Sequence, residues 1–153
     1  MSSGRIDPMS LPEARSWSEG FGGRLGVLDF ISNKLTIATA LALATVLWPE
    51  FVEARGCVLW SERYEPDNFQ EWWDKLGGNR QAIESTINHL HLWDVFDAGE
   101  DPTAEEALEA LAGIVAQSWR AALENEFPGR RFEVTVARLD EDYGPTITFS
   151  SRD

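Results

Sequence analysis

Apolar positions recur along the chain with two periods, and the places where one period gives way to the other mark its elements. The longest stretch with a helical period opens at Thr103, which forms a Thr-x-x-Glu capping box with Glu106, and runs to Pro128. Ala104, Leu108, Leu111, Val115, Trp119 and Ala122 share one stripe there, with Glu106, Glu109, Gln117, Arg120 and Glu124 opposite. That pattern predicts a helix with one face on the core. Beyond it Phe132, Val134 and Val136 alternate with Glu133, Thr135 and Ala137. An Asp-Glu-Asp-Tyr-Gly-Pro turn then leads into a second alternating run through Ile147 and Phe149. Two period-2 runs joined by a turn predict a β-hairpin with one apolar face.

Upstream, "GCVLWSERY" (56–64) is rich in β-branched and aromatic residues and reads as a strand, with Cys57 and Leu59 on one face and Val58 and Trp60 on the other. Phe69, Trp72, Trp73 and Leu76 hold the spacing of a core-facing helical stripe from Asp67 or Asn68 to Gly77-Gly78. A further helix is predicted from about Asn79, with Ile83, Ile87 and Leu90 as its buried stripe. Residues 35–49, "LTIATALALATVLWP", contain no charge, and a helix is predicted there between an N-cap at Ser32 and Pro49. Apolar on every side, it is expected to be buried, as the central element of the domain or as a contact between copies. Residues 1–26 show no sustained period and read as a flexible or loosely packed arm, pinned in part by Trp17 and Phe21, ahead of a single domain over 27–153. The expected class is α+β, with about four helices and a small antiparallel sheet that includes a C-terminal β-hairpin.

Charge changes this picture more than length does. With 153 residues the chain is the size of one domain, but 26 acidic against 13 basic residues leave it at −13. Such a balance argues against nucleic acid and against membrane as partners and in favour of a basic protein. Cys57 is the single cysteine and the first twenty residues lack the apolar run of a secretory signal, so a cytoplasmic location is expected. The uncharged stretch of 15 residues is shorter than the roughly 20 that a spanning helix needs.

Candidate chemistry is sparse. No Gly-x-Ser-x-Gly elbow, phosphate-binding Gly-x-x-x-x-Gly-Lys loop, Gly-x-Gly-x-x-Gly turn or Cys-x-x-Cys pair occurs, so no catalytic residue, metal or cofactor is assigned. Cys57 reads as a small buried hydrophobe rather than a nucleophile. Both histidines fall in "ESTINHLHLWDVFD" (84–97). On a helix His89 and His91 point about 200° apart and cannot share a metal, whereas an extended chain would bring them to one face. The helical arrangement, with His91 bonded to Asp94, is the expected one, and the alternative is a metal-binding domain or metal-dependent enzyme using His89 and His91. Between Arg80 and Arg120 there is no Lys or Arg, while acids crowd the stretch from Asp94 to Glu109. Asp97, Glu100, Asp101, Glu105, Glu106 and Glu109 are therefore assigned to partner binding. The expected function is a small non-catalytic protein-binding domain, of the inhibitor or immunity kind, for a basic toxin-like partner. A further reading is a self-associating structural subunit, a homodimer joined through residues 35–48.

Overall fold

The computed structural model describes residues 5–97, 102–139 and 144–153. In chain order the elements are helices α1 (Pro12–Gly20), α2 (Val27–Lys34) and α3 (Ile37–Leu47), strands β1 (Phe51–Ala54) and β2 (Cys57–Trp60), and helices α4 (Pro66–Lys75) and α5 (Arg80–Ile87). Strand β3 (His89–His91), helices α6 (Leu92–Val95) and α7 (Pro102–Glu126), and strands β4 (Arg131–Leu139) and β5 (Gly144–Arg152) follow. The class is α+β with a β4–β5 hairpin, as the alternation predicts, but about four helices is an undercount. Among the described residues there are seven α-helices and two antiparallel sheets.

The smaller sheet is the β1–β2 hairpin, in which Ala54 pairs with Cys57 across Arg55 and Gly56. Both turn residues have positive φ, 48° and 82°, the geometry of a type I′ turn. The larger sheet has the order β3-β5-β4, with Leu90 and Val136 both opposite Ile147, and Val134 opposite Phe149. Its apolar face takes α7, whose Leu108, Val115, Trp119 and Leu123 are buried with Val134, Ile147 and Phe149. A second cluster forms around Phe69, Ile83 and Ile87, with Trp72 and Trp73 half-buried at its edge. Strand β2 separates the two. Val58 and Trp60 face the first cluster, Cys57 and Leu59 the second, so the strand is buried on both faces.

Helix α5 ties the sheets together through polar side chains. The Glu84 carboxylate is fully buried, accepting from Val58 N at 2.9 Å on β2 and from Ser151 Oγ at 2.6 Å on β5, with Ser151 N donating to the same oxygen. One turn later Asn88, also fully buried, accepts from Trp60 N at 2.9 Å and donates to Val58 O at 2.8 Å and Phe149 O at 3.4 Å. A buried backbone group without a partner costs about 1–3 kcal/mol, so β2 depends on these side chains where no neighbouring strand is present.

The apolar segment departs from expectation. Thr36 caps Thr39 N, which splits the stretch into α2 and α3, and Ser32 lies inside α2 rather than at a helix start. Instead of a buried central element, α3 has no buried residue at all: Ile37 is 81% and Leu41 64% exposed. Only its last turn is docked. There Trp119 Nε1 donates to Val46 O at 2.7 Å, Ser118 Oγ donates to Leu47 O, and Val46 and Leu47 pack on the first cluster. Among the described residues no single helix is long and apolar enough to cross a membrane.

Two outcomes test this packing. Trp119→Ala removes a fully buried ring and its bond to Val46, and should cost about 3–5 kcal/mol in urea unfolding. Glu84→Ala leaves Val58 N and Ser151 N without acceptors and should cost about 2–5 kcal/mol. An unchanged midpoint for either variant would show that the contact contributes nothing.

Candidate functional site

The two histidines lie on a strand, not a helix. Helix α5 ends at Ile87, the chain becomes extended, and His89 and His91 pair with Thr148 and Thr146 of β5. Extended backbone sends alternate side chains to one face, so the rings meet edge to face with centroids 5.0 Å apart. The helical divergence expected from the sequence is thereby overturned. In each ring Nδ1 is engaged. Nδ1 of His89 lies 2.8 Å from Thr86 O, where it acts as donor, and Nδ1 of His91 lies 2.8 Å from Thr146 Oγ1.

Burial pushes His89 below its ordinary value of 6.5, and the charges of His91 and Arg63 act in the same direction, against the Thr86 carbonyl and Asp94. His89 borders an open cleft of about 410 Å³ with Glu62, Arg63, Asn68 and Trp72. Metal chemistry needs further ligands. Among the described residues no group of three or more His, Cys, Asp and Glu is placed to hold a metal ion.

Cys57 is fully buried on β2 facing the second cluster. Its thiol is pushed up to about 11, first by burial and then by the Glu84 carboxylate, with Arg80 and Arg130 pulling the other way. A thiol so held is closed to solvent and protonated at neutral pH.

The assigned acids divide. Glu100 and Asp101 lie outside the described residues. Asp97 is exposed just after α6, and Glu105, Glu106 and Glu109 are exposed on the first half of α7. Spacings of three and four residues place these three on one side of the helix. Arg138 of β4 reaches across to Glu109 at 2.9 Å and Glu105 at 3.8 Å, so one arginine faces two carboxylates. The sequence missed this arginine. Its signal, a base at the end of the alternating Phe132, Val134 and Val136 face, is too slight to use without the fold.

Basic residues gather elsewhere. Arg80, Arg130, Arg131 and Arg152 line a cleft of about 400 Å³ with Gly56 and Asp153. Most are already engaged: Arg130 with Gly56 O and Glu53, Arg131 with Asp153 O, and Arg152 with Glu133. The Arg130 bonds tie the β1–β2 turn to the end of the larger sheet, and those of Arg131 and Arg152 join residues of that sheet's own end.

No family model, curated protein or solved structure matches this chain. The arrangement itself defines two features, a histidine pair on the edge strand β3 and an acidic row on α7.

The His89 environment has a consequence for pH. Its folded value lies below 6.5, so its contribution to stability is complete above about pH 6.5 and is lost as pH falls toward the folded value, because the unfolded chain takes up the proton first. Urea midpoints measured at neutral and mildly acidic pH should fall more for the wild type than for His89→Gln. Equal falls would show that the histidine is not held neutral.

Proposed function

We propose that the folded body is a non-catalytic protein-binding domain that meets a basic protein through the acidic row on α7, in the manner of an inhibitor or immunity protein. The observation that carries this reading is the side-by-side exposure of Glu105, Glu106 and Glu109, with Arg138 as the cation that reaches the row. Carboxylates in a first helical turn offset the helix dipole, which explains Glu105 in part; Glu106 and Glu109 lie further along the helix. Exposed ion pairs contribute at most about 1 kcal/mol, so Arg138 can be displaced by a partner's cations at little cost. The protonated Cys57 and the engaged Nδ1 atoms of both histidines fit a surface that recognises rather than reacts. The natural partner class is a cationic protein, including a toxin that acts on nucleic acid.

A cationic protein captured from the native host on the immobilised wild-type chain supplies the test. Glu105→Gln/Glu106→Gln/Glu109→Gln should slow its association by about tenfold at low salt and flatten the salt dependence, with the dissociation rate changed less. Identical rates and salt slopes for the two proteins would remove the row from the interface.

A further inference from the structure

We infer that α3, with α2 beside it, inserts into a lipid bilayer and holds the acidic body at a membrane surface. The first observation is that α3, up to its docked last turn, is uncovered all the way round. Residues 36–42 are seven consecutive exposed positions, and at 100° per residue they pass through a full turn and most of a second. None of them carries a charge, and the nearest charged residues are Lys34 and Glu50. A charge-free stretch of this length is covered by its own core, by a second copy or by the membrane interface. The exposure of Ile37 and Leu41 removes the first.

Area separates a bilayer from a second copy. The seven exposed residues make a rod about 10 Å long and about 10 Å across, with roughly 300 Å² of lateral surface. A neighbouring helix covers about a third of such a rod, well short of the roughly 800 Å² per partner of a standard interface, and leaves the other sides wet. Lipid covers every side at once. Ten ångströms is about a third of the thickness of the hydrocarbon core, so the exposed turns reach into one leaflet without crossing.

Polar groups and charge agree with that environment. In hydrocarbon every polar group must find its partner within the segment. Thr36 and Thr39 pair through their hydroxyls at 2.9 Å, and Thr45 Oγ1 donates to Ala42 O at 2.7 Å, so the threonines of α3 are turned back onto its own turns. Helix α2 meets α3 at 114° and is amphipathic. It exposes Val27, Leu28 and Ile31 on one side, while on another Asn33 receives Trp17 Nε1 and Phe30 stacks on Trp17. Such a helix can lie along the headgroup level as its neighbour dips inward. Four basic and four acidic residues fall within 1–34, so the whole excess of −13 belongs to residues 35–153, beginning at Glu50. Repulsion from a membrane therefore concerns the body and not the element that enters.

Flotation of the full chain with phosphatidylcholine vesicles tests the inference. The wild type should rise with the vesicles and remain with them in about 0.5 M salt, because the attraction is apolar. Ile37→Asp/Leu41→Asp should partition at least about a hundredfold more weakly. Its thermal midpoint should match the wild type, since both side chains are solvent-facing, which separates lost binding from lost folding. A wild type that stays in the dense fraction, or a variant that floats equally well, overturns the proposal. A lipid-free dimer that the same pair of substitutions dissociates, with neither protein floating, assigns the helix to a second copy instead.

Discussion

A carboxylate and an amide one turn apart on α5 hold the two sheets of this protein in one body. Strand β2 pairs on one side with β1 and has no strand on the other. Its exposed edge is met instead by Glu84 and Asn88, which accept from Val58 N and Trp60 N while reaching Ser151 and Phe149 on β5. The backbone of β5 answers in kind, Phe149 N donating to Asn88 O. Two side chains thus imitate the ladder that a further strand would form. The arrangement allows β2 to be apolar on both faces and to stand between two clusters of buried residues.

That seam also sets where chemistry can appear. Because Asn88 must stay at the junction, the helix ends beside it and the next residues are drawn into β3 at the edge of the larger sheet. His89 and His91 therefore share a face and a set of threonine neighbours. They lie half-buried on the face of the sheet opposite α7. The acidic row lies on the outer surface of that same helix, so the core packing of Leu108 and Val115 fixes the direction in which Glu105, Glu106 and Glu109 point.

Much of the architecture was legible in the residue pattern. The stripe through Leu108, Val115 and Trp119 and the alternation through Val134, Ile147 and Phe149 each report a single buried face, and the structure buries those residues. Cys57 and Leu59 against Val58 and Trp60 likewise divided as their alternation implied. The histidine segment was misread because three residues are too few to separate a period of 2 from one of 3.6. Glu84 was missed because a carboxylate reads as surface; its neighbour on the stripe, Ile83, and the polar Asn88 one turn on, acquire meaning only when β2 is in place. For α3, apolarity states that a cover is required but not that the same chain supplies it. Residues 35–49 were thus expected either in the interior or between copies, and the fold does not provide the first.

The lone thiol has a use that its burial creates. Cys57 sits on β2 beside the seam, closed to solvent and protonated at neutral pH. An alkylating reagent can reach it only in molecules where β2 has come away from α5. The rate of labelling in native buffer then counts openings of this one junction, distinct from fraying at α1 or at the free end of α3. A residue with no part in recognition becomes a clock for the event that would separate the two sheets.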